Sequence, residues 1–438
     1  MLNNYPHKIL DHLRKLYPAC VTALMIAALQ VSLVWVVSGE NNWLDAFQRL
    51  TQRDSLWYID IANRGYQHDP VDLSASTIEV GNNNVAFFPG YPLVIRLVSQ
   101  VFGIPSEIAL YIASQIACWL FWLQFLLFME RWAVPLSLRI LGSLAVAVYP
   151  TAFFLVVGYS ESLFLSTLLG YLYWSRSNCS VGWVLAGLSG CLMTATRIVG
   201  LPLIGLPILK LLRIRFANGV PLFDLDIKGF DAKWFLTSLI AGLGGLSFFF
   251  FCAIQFGDWN LYLKLQQMGW EVTPDYKAFF QWQHYIPSGQ MIQEFFWLVE
   301  DRLSWADRLS KLAVAATFWA LWALSVLDWG ICLRNRRIAR PERFDFFLIA
   351  WTMFYFTVTG LASVGMRSMI RYCFPIYVLL VLAVIHLATN FINNRIKLWR
   401  KRVYLQVAYQ SIVASLFFIA GFIQVYLIWR YAQHIWVA

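Results

Sequence analysis

Five ionisable residues, Asp54, Glu161, Arg197, Arg367 and Arg371, interrupt or border the long apolar runs of this 438-residue chain, and their types define one kind of chemistry. A carboxylate at a water edge takes a proton from a hydroxyl as a general base. The planar fork of arginine binds phosphate through two parallel hydrogen bonds. Gathered at one end of a helical bundle, a carboxylate and several arginines would hold a lipid-linked phosphate beside a hydroxyl group. Each residue also has a plainer reading. Asp is a favoured N-cap, and a short helix is predicted directly after Asp54. Glu161 and Arg197 would hold helices together as a salt bridge, and Arg367 and Arg371 would reach headgroups by snorkelling. Glu161 lies in Tyr159-Ser160-Glu161-Ser162, between two apolar runs. An ionisable group at such depth is costly enough to need a partner or a function.

Other signals point away from rival chemistries. Asp224-Leu225-Asp226 has the spacing of metal-dependent nucleotide-sugar transferases. It sits in a short polar stretch with no nucleotide-binding domain around it, and reads as solvated surface. His68 and His284 have no partner at metal-ligand spacing, which predicts no metal site. There is no P-loop and no defensible Ser-His-Asp order, and no cofactor is expected.

The elements that must position these residues are membrane helices. The chain is 59% hydrophobic and 13% charged, against roughly 25% charged for soluble domains, which predicts an all-α polytopic membrane protein. No long polar block occurs, so residues 1–438 read as a single integral domain. The net charge of +10 resides in short basic tracts between apolar runs and suggests topology before nucleic acid. The seven cysteines fall mostly inside apolar runs, and none lies in 40–91 or 257–305, so no disulfide framework is expected there. Residues 1–17 read as a polar leader to a full-length span and not as a cleavable signal.

Apolar stretches of about 20 residues mark spans. They occur near 18–38, 106–130, 136–157, 160–176, 182–199, 201–213, 233–256, 307–332, 344–363, 372–392 and 404–430, which predicts a bundle of about eleven transmembrane helices. Four basic tracts, around Lys8–Lys15, Lys210–Arg215, Arg334–Arg343 and Arg395–Arg402, share one side if the N-terminus is cytoplasmic. The first extracytoplasmic loop, 39–105, then carries Glu40, Asp45, Asp54, Asp60, Asp69, Asp72 and Glu79. It is expected to hold interfacial helices over 55–64, ended by Gly65, and from Pro92 to Phe102. The second large loop, 257–306, faces the same side and is rich in aromatic residues. Arg197 is expected about 22 Å into its span, in the outer half of the bilayer.

At these residues the chain resembles a known family, the second mannosyltransferase of glycosylphosphatidylinositol assembly (PIG-V) with its bacterial relatives, within the GT-C membrane glycosyltransferases. The family's first outer loop has a Trp-Asp motif, an Ile-Ala…Gly-Tyr element and Ala-Phe-Phe-Pro-x-x-Pro. Here these read Arg53-Asp54, Ile61-Ala62-Asn63-Arg64-Gly65-Tyr66 and Ala86-Phe87-Phe88-Pro89-Gly90-Tyr91-Pro92. Gly158-Tyr159-Ser160-Glu161-Ser162-Leu163-Phe164 and Ala195-Thr196-Arg197-Ile198-Val199-Gly200-Leu201 follow in order. The similarity is close over about 50–210. Beyond it, Phe256-Gly257-Asp258 with Gln267 and Trp270 is similar to bacterial members. Arg53 departs from the family's usual Trp.

The resemblance implies an inverting transferase that moves a sugar, with mannose the first candidate, from a polyprenyl- or dolichyl-phosphate donor to a lipid or glycan hydroxyl on the extracytoplasmic or lumenal side. Asp54 would be the base, and Glu161 would orient Arg197 or the sugar. Arg197, Arg371 and Arg367 would stabilise the leaving phosphate, with Tyr159, Gln267 and Trp270 also on the substrates. The membrane would be the bacterial cytoplasmic membrane or, in a eukaryote, that of the endoplasmic reticulum. Three alternatives stand beside this reading. A GT-C enzyme for another sugar fits the same residues, and a non-catalytic subunit of a glycosylation complex would tolerate loss of Asp54. A lipid or sugar transporter predicts midplane polar groups and an internal repeat.

Overall fold

In lipid, every backbone N–H and C=O must be satisfied within its own segment, so the apolar runs fold as helices. The computed structural model describes residues 5–68, 83–177, 179–217, 230–286, 304–334, 341–395 and 403–437, and these contain helices and turns with no strand. Asp69, Asp72, Glu79, Asp224, Asp226 and the stretches 335–340 and 396–402 of the basic tracts lie outside the described residues.

The helices are α1 (Tyr5–Ser38), α2 (Trp43–Leu50), α3 (Asp54–Arg64), α4 (Gly90–Phe102), α5 (Ser106–Arg131), α6 (Leu136–Ala147), α7 (Glu161–Trp174) and α8 (Ser180–Thr196). They continue as α9 (Leu206–Ala217), α10 (Phe230–Phe256), α11 (Leu261–Trp270), α12 (Ser304–Arg334), α13 (Pro341–Leu361), α14 (Met369–Tyr372), α15 (Phe374–Arg395) and α16 (Val403–Ala432). Seven of the described helices, α1, α5, α10, α12, α13, the α14–α15 segment and α16, are long and apolar enough to cross a membrane, and the chain is an integral membrane protein.

The expectation of about eleven full spans meets a different structure between 136 and 217. The run 136–157 ends as a helix at Ala147 and passes through a 3-10 turn at Ala152–Leu155. The run 201–213 begins as 3-10 turns at Ile198–Gly205, around Pro202, before α9. Helix α7 has 14 residues, or about 21 Å, short of a full crossing. Proline and extended backbone interrupt the α-helical ladder here, while hydropathy counts only apolar side chains.

Helix α7 is buried on every face from Glu161 to Leu172 and lies at the centre, packed on α5 and α8, with α10 against α8. Phe121, Trp122, Phe125, Phe153, Phe154 and Phe164 fill the core around it. The α2, α3 and α4 helices pack on α5 through a second cluster that contains Phe47, Tyr58, Tyr91 and Leu110. These contacts bring the N-termini of α3 and α7 to the same end of the bundle.

Candidate functional site

Asp54 is the first residue of α3 and does not cap it. The N-cap position belongs to Arg53, with φ 56° and ψ −117° and no side-chain cap, so the plainer reading of Asp54 fails. Its carboxylate turns to Arg371, whose Nη2 donates to Oδ2 at 2.9 Å. Arg371 Nε lies 2.7 Å from Glu161 Oε1, with its N–H not aimed for a hydrogen bond. Arg197 Nη2 donates to the same Oε1 at 2.5 Å. The salt bridge read from the sequence between Glu161 and Arg197 is present, but as part of a chain of four charges: Asp54, Arg371, Glu161, Arg197.

Helix polarity favours this order. Asp54 and Glu161 open α3 and α7, where unpaired N–H groups attract anions, and Arg197 ends α8, where carbonyls attract a cation. Arg197 has extended backbone and stops the helix. It is therefore a terminus residue and not a mid-span charge. Gly158 has φ 81° and carries the turn before α7, where a Cβ would meet Leu110 Cδ2 at 2.9 Å. Its carbonyl accepts from Ser55 Oγ at 3.1 Å, which ties the start of α3 to the start of α7. Gly90 lets α4 approach the end of α8, since a Cβ there would lie 2.8 Å from the Ala195 carbonyl oxygen.

Aromatic rings wall the arginines. Arg371 lies over Tyr159 (4.9 Å), Tyr372 (5.2 Å) and Phe154 (5.3 Å), and Arg197 over Tyr372 (5.6 Å) and Phe164 (5.9 Å). Ser160 Oγ accepts from Arg197 Nε at 3.2 Å and from the Tyr58 hydroxyl at 3.1 Å. Burial, with the Asp54 charge next in weight, pushes the Tyr58 phenol well above its ordinary range, so it is a donor and not a base.

Exposure sorts the four charged side chains. Asp54 is 21% exposed, Arg197 12%, Arg371 4% and Glu161 0%. Only Asp54 offers a carboxylate to solvent. Glu161 is sealed beneath the arginines, and its Oε2 has no hydrogen-bond partner among the described residues.

Of the other residues singled out from the sequence, Tyr159 touches this chain of charges, while Arg367, Gln267 and Trp270 make no hydrogen bond, ion pair or ring contact with it among the described residues. Tyr159 is fully buried, and its hydroxyl accepts from Tyr431 at 2.9 Å, so it supports Arg371 from beneath. Arg367 is exposed and lines a separate cavity of about 320 Å³ with Glu271, Asp307 and Lys311. Gln267 is exposed on α11. Its neighbour Gln266 makes the contact to the first loop, Nε2 to the Ala86 carbonyl at 2.8 Å. Trp270 packs edge-on against Phe87, which stacks on Trp57. Asp258 forms a turn and ion pair, accepting from Lys264 Nζ at 2.6 Å and the Asn260 N–H at 2.9 Å. The hydrogen bond from Lys264 holds its carboxyl below the usual range.

Sequence reasoning missed Gln52, Tyr58 and Tyr431. Tyr58 had a signal, in the helix after Asp54. Gln52 and Tyr431 did not, because their contact joins residues 379 positions apart.

The backbone near the site is strained. Six non-glycine residues among those described have φ between 50° and 62°, and four of them, Arg53, Met366, Ser368 and His434, lie on segments that carry or brace the Asp54–Arg371 pair. Each such residue costs about 1–2 kcal/mol, and strain of this kind clusters at functional sites. Helix α14 is held by Tyr149 and Thr151, whose hydroxyls donate to the Ile370 carbonyl at 2.9 and 3.2 Å.

No family model matches the chain, and no curated protein matches it. Among solved structures, it is similar to ArnT from Cupriavidus metallidurans bound to undecaprenyl phosphate, with TM-score 0.47 and 15% identity over 93% of this chain and 68% of that one. It is also similar to the archaeal oligosaccharyltransferase AglB from Archaeoglobus fulgidus in complex with an inhibitory peptide and a dolichol-phosphate, with TM-score 0.46 and 15% identity over 96% of this chain. The chain spans 56% of that second protein.

Proposed function

We propose that this membrane protein is an inverting glycosyltransferase of the GT-C type, related to the PIG-V family. It takes a sugar, mannose as first candidate, from a polyprenyl- or dolichyl-phosphate donor to a hydroxyl of a lipid or glycan. The observation that carries the reading is the contact chain Asp54–Arg371–Glu161–Arg197, with its one solvent-reachable carboxylate.

Asp54 takes the proton of the acceptor hydroxyl. The oxygen attacks the anomeric carbon, and the bond from that carbon to the phosphate oxygen breaks, its electron pair leaving with the lipid phosphate. One displacement inverts the anomeric centre. Negative charge thereby moves from Asp54 to the phosphate. Arg371 bonds Asp54 before the reaction and, with Arg197, meets the phosphate charge as it develops. Donor phosphate competes with Asp54 for Arg371, so donor binding loosens that ion pair and frees the carboxylate for the acceptor hydroxyl. Glu161, at the base of both guanidiniums, holds their spacing.

The test uses purified protein in nanodiscs, labelled polyprenyl-phosphate mannose, and glycolipid extract from cells lacking the chain. Label should pass to a lipid or glycan that such cells underproduce, with release of polyprenyl phosphate. Transfer of a different sugar would correct the donor, and no transfer from any polyprenyl-phosphate sugar would sink the reading.

The site end of the bundle is assigned to the extracytoplasmic side. Cys179 is exposed before α8, at the other end, and as the sole cysteine it should resist an impermeant maleimide in intact cells. Labelling there would invert the topology.

A further inference from the structure

The segment after α16 reaches back to the residues just before Asp54. Helix α16 ends in a turn at His434, with φ 59°, where the Ile435 N–H bonds the Arg430 carbonyl at 3.1 Å. A left-handed residue at this place reverses the chain. Gln52 is tied at both ends of its amide: Nε2 donates to the Tyr431 carbonyl at 2.7 Å, and Oε1 lies 3.2 Å from His434 Nδ1. Arg49 Nε donates to the Ala432 carbonyl at 2.6 Å. The Arg53 guanidinium lies 4.7 Å over the Trp436 ring, while Val437 is buried. The Tyr159 hydroxyl donates to the Gln52 carbonyl at 3.4 Å, and the same ring lies under Arg371.

We propose that residues 431–437 form a strap that positions the base, with Gln52, Tyr431 and Trp436 as its positioning residues. Arg53 occupies a backbone conformation that L-residues avoid, and the helix beginning at Asp54 takes its direction from it. Contacts on both sides of Gln52 and on the Arg53 side chain hold that conformation. Tyr431 and Tyr159 join the strap to the platform beneath Arg371, so one network sets both partners of the Asp54–Arg371 bond. The proposal rests on the transferase reading for its kinetic arm only.

Gln52→Ala and Trp436→Ala test it, with Trp436→Phe as the conservative variant that keeps an aromatic platform. Expected are a fall in kcat of roughly tenfold or more with donor KM within about twofold, as for misplaced catalytic geometry. The unfolding midpoint should hold, and Trp436→Phe should recover most of the rate. A kcat within about twofold of the parent, or a loss that merely follows lost folded protein, overturns the strap. Amide hydrogen exchange provides the arm independent of activity. In Gln52→Ala, amides at 54–57 should exchange about tenfold faster, while those of α7 stay unchanged. Unchanged exchange at 54–57 overturns the proposal. If the parent transfers no sugar, the transferase reading falls and exchange alone judges the strap.

Discussion

Helix α7 carries a buried ion network at each end, and the two are built differently. At its C-terminal end, Arg176 bridges Glu342 at 2.7 Å and Asp345 at 2.5 Å. Lys210 and Arg213 approach the same Asp345 at 3.6 and 3.4 Å. Asp345 is 3% exposed and faces three cations, Lys210 also donates to Ser175 Oγ, and the Trp132 indole donates to Glu342. This network joins α7, α9 and α13 with its central acid enclosed by counter-charge. At the N-terminal end, two acids share two arginines, one carboxylate oxygen has no hydrogen-bond partner among the described residues, and strained backbone surrounds the group; one acid of each network reaches solvent, Asp54 at 21% and Glu342 at 23%. The two networks therefore differ in charge balance and backbone strain and not in exposure: three basic side chains on two acids at one end, two arginines on two acids beside strained residues at the other.

The largest expected effects separate the two ends. Asp54→Asn keeps the shape and an oxygen that accepts from Arg371 but removes basicity. The protein should fold while turnover falls by roughly 10²–10⁴. Near-normal turnover would reduce the N-terminal network to a fastener like its counterpart. Asp345→Asn should act in the opposite way. Its buried cations lose a counter-charge, so unfolding measurements should show a cost of about 3–5 kcal/mol, with turnover per folded molecule little changed. Lost turnover at an unchanged unfolding midpoint would join the two ends functionally and break the contrast.

Arg197→Lys sharpens the comparison within the site. Lysine keeps the charge but loses the fork that spans Glu161 Oε1 and Ser160 Oγ. Donor binding should weaken by roughly tenfold, together with slower turnover. Weaker turnover at unchanged donor affinity would place Arg197 outside the phosphate contacts.

The charged residues were legible in the sequence because polar groups in an apolar chain announce themselves. Basic tracts, read as topology, put Asp54 and Arg371 at one end despite their distance of 317 positions, and they bond in the structure. The motif glycines were legible as a pattern, while their cause, a positive φ at Gly158 and a close approach at Gly90, needed the fold. The cap role of Asp54 was misleading, because N-cap preference is a local rule and the Arg371 ion pair is a tertiary one. Span lengths over 136–217 failed for a related reason: a proline and a 3-10 turn shorten a helix without lowering hydropathy. The strap was invisible, since Tyr431 and Trp436 sit within an aromatic-rich apolar end with no local mark of their contacts.

Tyr58 gives the smallest predicted effect and the finest cut between support and chemistry. Its hydroxyl donates to Ser160 Oγ, which also accepts from Arg197, so the phenol orients an acceptor that orients an arginine. Tyr58→Phe removes one neutral hydrogen bond, of about 1 kcal/mol, which at most is a several-fold loss of turnover. The pH dependence carries the sharper content. Burial, then the Asp54 charge, raises the phenol above its ordinary value, so it stays protonated across neutral and mildly basic pH and cannot supply a basic limb to the rate profile. Parent and Tyr58→Phe profiles should therefore differ in height and not in shape. If the variant loses an alkaline limb that the parent has, Tyr58 ionises during turnover. The exchangeable proton would then belong to Tyr58 and not to Asp54, and the base would lie on α3 one turn further along.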